Sequence, residues 1–158
     1  MMSKTQPRIV TLPISKIRLE KVAQPREHID EQTIQEYRER FEAGNTFPPV
    51  VVFFDGTDYW AADGFHRLLA APRAGRVEIP CEVHQGTLED ARWFSYSANR
   101  AHGLRRSNQD KQRAVVDALK HPQGLGRTDD VIAEHVGVSP KTVTRWRGSP
   151  RHFGKFPK

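Results

Sequence analysis

The chain is short of cysteine, of long apolar runs and, beyond residue 100, of acid. A single cysteine, Cys81, in 158 residues excludes an internal disulfide and a zinc site built on cysteine pairs. It sits in Ile79-Pro80-Cys81-Glu82-Val83, the setting of a small core residue of a strand rather than a nucleophile. No apolar run nears the length of a membrane-spanning helix, and the N-terminus lacks the apolar core of a signal peptide. No paired acidic site of the kind used in metal-assisted hydrolysis is visible either. The expectation is a soluble, cytoplasmic protein of a reducing compartment, with no membrane partner.

What the chain does have is positive charge, unevenly spread. Residues 1–99 hold 12 Lys/Arg against 14 Asp/Glu, a net of −2, and residues 100–158 hold 13 against 5, a net of +8. The surplus points to a polyanionic partner for the second part alone. That part contains Asp129 to Arg147, where Ile132, Ala133 and Val136 give a short helix one apolar stripe. Gly137 can take the positive φ of a tight turn after a helix. Ser139 and Pro140 are a good N-cap and a good first residue for the next helix. Val143 and Trp146 form its buried stripe, leaving Lys141, Thr142, Thr144, Arg145 and Arg147 outside. The plainer alternative is a helical hairpin with a solvated basic face. Against it stands an outer face with three cations, two hydroxyls and no acid, which suits phosphates and base edges. The stretch resembles the helix-turn-helix family, whose second helix enters the DNA major groove.

From the front, Ile9 to Ile17 reads as a short edge strand containing Pro13, with a turn at Ser15-Lys16. Asp30 caps a helix with Ile34, Tyr37, Arg38 and Phe41 on one side, ended by Gly44. Val50 to Phe54 is a buried-strand run. Asp55 to Asp58 is a turn and Tyr59 to Ala62 the returning strand. Asp63-Gly64-Phe65-His66-Arg67 then opens a helix that Pro72 should stop. A glycine at a strand-to-helix junction lets the backbone approach a ligand, and the first N–H groups of the helix favour anions. His66 and Arg67 would add side-chain donors; the plainer alternative is a tight turn with an arginine that ties the helix to Asp63 or Glu82. Val77 to Val83 alternates as a strand, and Thr87 starts a helix running to Asn99-Arg100. His102 to Arg106 is a basic loop, in which Arg105 and Arg106 are either backbone contacts or a solvated connector. Ser107 or Asn108 caps a helix with Ala114, Val115 and Leu119 buried.

The order strand, Gln24-Pro25-Arg26, helix, apolar hairpin, Gly-x-x-Arg and helix resembles the N-terminal domain shared by ParB partition proteins and sulfiredoxins. In ParB proteins the junction grips the triphosphate of CTP, and in sulfiredoxins it carries the catalytic cysteine. Phe65 stands where that cysteine would be, so sulfiredoxin chemistry is excluded. The resemblance implies a nucleoside triphosphate, CTP or ATP with Mg²⁺, held by Gln24, Arg26, Gly64, Phe65, His66, Arg67, Asn99 and Arg100. Asn99 matches the family's amide there, while Ala98 replaces its acid.

The sequence thus predicts an α+β fold, a small mixed-sheet ParB/sulfiredoxin-like domain over 8–100 followed by an all-α DNA-binding domain over 101–148. Its helix-turn-helix spans 129–147, and a basic flexible tail covers 149–158. Double-stranded DNA is the expected partner, read by Ser139, Lys141, Thr142, Thr144, Arg145 and Arg147 with Arg105 and Arg106, and a homodimer is left open. The expected role is a sequence-specific regulator or partition-related factor of a plasmid, phage or mobile element, with no catalytic residue or protein metal site assigned. Weak nucleoside triphosphatase activity is left open. The rival readings are a serine-kinase-like phosphoryl-transfer enzyme, with Glu27, Asp30 or Glu31 as its carboxylate, and a ParB-like nuclease.

Overall fold

The computed structural model describes residues 6–19, 30–97 and 107–147. They form two compact units that divide between Arg92 and Trp93.

The first unit holds a five-stranded mixed sheet in the order β1-β5-β3-β4-β2. The expected single strand at the front is in fact two, β1 (Arg8–Pro13) and β2 (Ile17–Arg18), at opposite edges, joined through a 3₁₀ turn at Ile14–Lys16. Pro13 ends β1, where its missing N–H costs the sheet nothing. β3 (Val50–Phe54) and β4 (Tyr59–Asp63) are the expected antiparallel hairpin. The Asp55 carboxylate holds its turn, accepting from the backbone of Thr57 and Asp58 and from the Trp60 indole N–H. β5 (Glu78–Gln85) lies between β1 and β3, antiparallel to the first and parallel to the second. Its alternation is legible in burial, with Ile79, Cys81 and Val83 inside. Pro80 of this inner strand pairs with Thr11 of β1, and pairing with β3 begins only at Cys81. Burial also pushes the Cys81 thiol up to about 11, so it is no nucleophile at neutral pH.

Helix α1 (Glu31–Glu42) is capped by Asp30, which accepts from the Gln32 N–H at 3.0 Å, and packs on α2 (Phe65–Arg73). Pro72 does not stop α2, as the sequence suggested; it lies in the last turn, one residue before the end at Arg73, and the missing N–H removes a single intrahelical bond. Ile34, Val50, Val52, Leu68 and Cys81 are almost fully buried, each apolar side chain contributing about 1.5–3 kcal/mol of transfer free energy.

Helix α3 (Leu88–Ser95) ends short of the expected Arg100. The Ser97 hydroxyl donates to the Phe94 carbonyl at 2.7 Å, satisfying an acceptor that another helical turn would have used. Residues 98–100 lie outside the described ones. Among its described residues the second unit is helical, with α4 (Asn108–Lys120), α5 (Asp129–Val136) and α6 (Pro140–Arg147). Ser107 caps α4 in a reciprocal box with Asp110. The helices close over Ala114, Val115, Leu119, Ile132, Val136 and Val143, with Tyr96 in the same core and Trp93 packed against it. Among the described residues no helix is long and apolar enough to cross a membrane.

Candidate functional site

In the second unit α5 and α6 are joined by Gly137, Val138 and Ser139. Thr128 caps α5 by accepting from the Val131 N–H. Gly137 sits at φ 85°, ψ 43°, and its N–H bonds the Ala133 carbonyl at 2.8 Å. A side chain at this left-handed position would be strained, so the sharp turn depends on glycine. Ser139 accepts from the Thr142 N–H at 3.2 Å, and their hydroxyls lie 2.8 Å apart. Both therefore close the N-terminus of α6. Val143 is fully buried between the helices.

The outer face of α6 is smaller than its sequence suggests. Thr144 donates to Asp129 Oδ2, and Arg147 Nε donates to Asp129 Oδ1 at 2.8 Å. Arg147 Nη2 also donates to the Arg127 carbonyl at 3.3 Å. Two of the expected readers thus face Asp129 at the start of α5. The Thr144 hydroxyl and then the Arg147 guanidinium hold the Asp129 carboxyl below its ordinary value. Lys141 and Arg145 are exposed and make no hydrogen bond or ion pair among the described residues. One turn apart, they share a face. Arg105 and Arg106 lie outside the described residues.

The first unit carries the other candidate. Gly64, at φ 97° and ψ 29°, ends β4 and starts α2. A Cβ there would meet Val50 Cγ1 at 2.5 Å and come within 3.2 Å of Arg67 Nη2. Glycine is required twice, by its backbone angle and by the packing of Val50. The first-turn N–H groups of α2 receive no side-chain cap at Gly64, which leaves an anion as a suitable partner for them. The side chains differ from expectation. Phe65 and His66 are 7% exposed. His66 Nε2 accepts from the Asp30 N–H at 3.2 Å, so this ring nitrogen is a structural acceptor joining α2 to the start of α1, not a donor to a ligand. Arg67 Nη1 donates to the Pro48 carbonyl, rather than to Asp63 or Glu82. A guanidinium has five N–H donors, so this one bond leaves capacity for an anion. Gln24, Arg26, Asn99 and Arg100 lie outside the described residues.

The carboxylates of the phosphoryl-transfer reading are engaged elsewhere. Asp30 is the cap of α1 and also accepts from the Thr33 hydroxyl at 2.8 Å, while Glu31 pairs with Arg73 at 2.8 Å. Both are held below their ordinary values, chiefly by those hydrogen bonds. Glu27 lies outside the described residues. Among the described residues no three His, Cys, Asp or Glu side chains group as a metal site.

The family profile of the ParB N-terminal domain matches residues 2–99. The chain belongs to the ParB N-terminal domain family. It is 34% identical over 142 residues to the chromosome-partitioning protein ParB of Myxococcus xanthus, covering 85% of this chain and 44% of that protein. It is 32% identical over 109 residues to the transcriptional regulator NovG of Streptomyces niveus, covering 68% and 33%. The chain thus spans less than half the length of either relative. Two structures of C-terminally truncated ParB from Caulobacter crescentus share its fold. One, complexed to the centromeric parS site, gives a TM-score of 0.61 at 19% identity over 87% of this chain and 69% of that one. The other, with CTP-gamma-S, gives 0.52 at 18% over 88% and 76%.

Within this ParB-like chain, sequence reasoning missed two contacts. One is the grip of Asp129 on Thr144 and Arg147. The other is Trp93, whose indole stacks on His135 at 4.0 Å and 8°, while His135 Nε2 lies 2.7 Å from the Trp93 carbonyl. Neither pair has a local spacing that would announce it.

Proposed function

We propose that the chain is a ParB-like, sequence-specific DNA-binding protein, a regulator or partition-related factor of a plasmid, phage or mobile element. Its helix-turn-helix is α5-turn-α6, with α6 as the recognition helix. The observation that carries this is the α6 surface: Lys141 and Arg145, exposed and one turn apart, with Thr142 beside them. A bidentate arginine reads guanine and a lysine meets phosphate, as major-groove recognition requires. The parS-bound Caulobacter protein, which shares the fold, supports the reading. We expect Arg145→Ala to lower affinity for a selected duplex by about 1–3 kcal/mol, the worth of one good base contact. Unchanged affinity of this variant, measured by fluorescence anisotropy, would remove Arg145 as a reader.

The same proposal includes a triphosphate at the Gly64 cradle. The left-handed glycine, the uncapped start of α2 and the spare donors of Arg67 suit an anion, and the CTP-gamma-S complex of the Caulobacter protein supports CTP. Phe65 and His66 would contribute through their backbone at most, since their side chains are buried. Mg²⁺, if it accompanies the nucleotide, would supply charge neutralisation of the phosphates. Self-association in a nucleoid-associated, cytoplasmic setting belongs to this proposal as well.

A further inference from the structure

The recognition helix carries three cations, and the structure sets one of them apart. Lys141 and Arg145 are exposed with no partner among the described residues. Arg147 instead has two of its guanidinium nitrogens committed, Nε to Asp129 Oδ1 at 2.8 Å and Nη2 to the Arg127 carbonyl at 3.3 Å. The other oxygen of Asp129 accepts from Thr144. One carboxylate in the first turn of α5 therefore grips α6 at two positions one turn apart. The grip is accessible, since the Arg147 and Asp129 side chains retain 39% and 28% of their exposure. A strong competing anion can reach it.

We propose that Asp129 is a specificity-determining positioning residue that withholds Arg147 from DNA phosphates. This rests on the DNA-binding reading above and deepens it. The physical reason is the nature of nonspecific binding, which counts the phosphates a protein neutralises and ignores sequence. A third mobile cation on α6 would add a phosphate contact on random duplex, where α6 is free to shift along the groove. It would add least on a target, where the base contacts of Arg145 fix its register. Bound to Asp129, Arg147 adds little net charge, and the carboxylate repels any phosphate that approaches the start of α5. Contacts that read bases are left to Arg145, and discrimination between target and random DNA rises. Thr144, held by the same carboxylate, keeps α6 from rolling about its axis, so Arg145 meets the groove in one orientation.

The test is salt-dependent binding of a random-sequence duplex and of a selected site by full-length wild type, Asp129→Asn, Arg147→Ala and the double variant. Asn can still accept from Thr144 but carries no charge to hold Arg147. We expect Asp129→Asn to steepen the slope of log K against log salt on random DNA by about 0.9, one added phosphate contact. At about 0.1 M salt that is roughly eightfold tighter nonspecific binding, with no matching gain on the selected site. Arg147→Ala alone should keep the wild-type slope, and the double variant should return to it. A purely structural staple would weaken both duplexes together and leave the slope alone. The proposal is overturned if Asp129→Asn leaves the nonspecific slope unchanged or makes it shallower. It is equally overturned if Arg147→Ala by itself lowers the slope by about 0.9, since Arg147 would then already touch phosphate. Should Asp129→Asn fail to fold, the Arg147→Ala arm decides. Failure of wild type to bind any duplex at low salt overturns the DNA-binding reading itself, and so is distinct from a failure of the Asp129 assignment alone.

Discussion

At the scale of single residues, Arg67 has two duties that a pair of substitutions can separate. It donates to the Pro48 carbonyl, a tie within the first unit, and it stands one turn into α2 from Gly64. A bidentate arginine–phosphate pair needs the planar fork, which a lysine cannot supply, whereas a lysine can still donate to a carbonyl. We expect Arg67→Lys to keep the wild-type melting temperature without nucleotide and to lose the stabilisation that nucleotide confers. For wild type that stabilisation is about 2.7 kcal/mol at a hundredfold excess of ligand over Kd. Equal stabilisation of wild type and Arg67→Lys by CTP would show that the fork does not touch phosphate. No shift of wild type with any of the four triphosphates at millimolar concentration, with Mg²⁺ and DNA present, would leave Gly64 explained by Val50 alone. Its missing side chain is already demanded by that packing.

At the scale of elements, what was legible in the sequence is what short-range rules control. The caps at Asp30 and Ser107, the buried run of β3, the alternation of β5 and the glycine between α5 and α6 all follow from neighbouring residues. The contacts that escaped join residues far apart in sequence. Arg147 meets Asp129 across 18 residues and His135 meets Trp93 across 42. No periodicity encodes such pairs, because they exist only once helices have packed. His66 misled for the same reason, since its partner, the Asp30 N–H, lies 36 residues upstream. The Asp129 grip has an acid signature. Its carboxyl is held below the unfolded value of about 3.9, so its contribution to stability is full above that value and is lost as pH falls through the folded one. Asp117 runs the other way: desolvation holds its carboxyl up, so acid relieves a cost there. Asp30, Glu31 and Asp55 share the direction of Asp129, and only a difference isolates it. We expect the stability gap between wild type and Asp129→Asn, followed by thermal melting, to close as pH falls below about 4. A gap independent of pH would mean that the pair adds no charge-dependent stability.

At the scale of the whole molecule, charge and fold divide along similar lines. The mixed sheet lies in the part of the chain with a net charge of −2, and the helices α4, α5 and α6 lie in the part with +8. If the surplus served solubility alone, it would gain nothing from being confined to one part. Confinement suits contact with a polyanion, and the two roles differ in how they respond to salt. Each phosphate neutralised releases condensed counterions, so log K falls with log salt by about 0.9 per contact. A protein making five contacts would lose about 500-fold in affinity between roughly 50 and 200 mM salt. Lys141 and Arg145 account for two contacts at most, and a third of their size from Arg147 is held back by Asp129. Further contacts would have to come from other cations of the +8 part, and the measured slope counts them. We therefore expect binding of random duplex by the whole chain to weaken steeply over that range, with a slope of magnitude above about 1.8, more than Lys141 and Arg145 alone would give. A slope at or below that value would confine the electrostatic contacts to α6. A flat dependence would reduce the basic surplus to solubility and leave α5 and α6 without the DNA partner proposed for them.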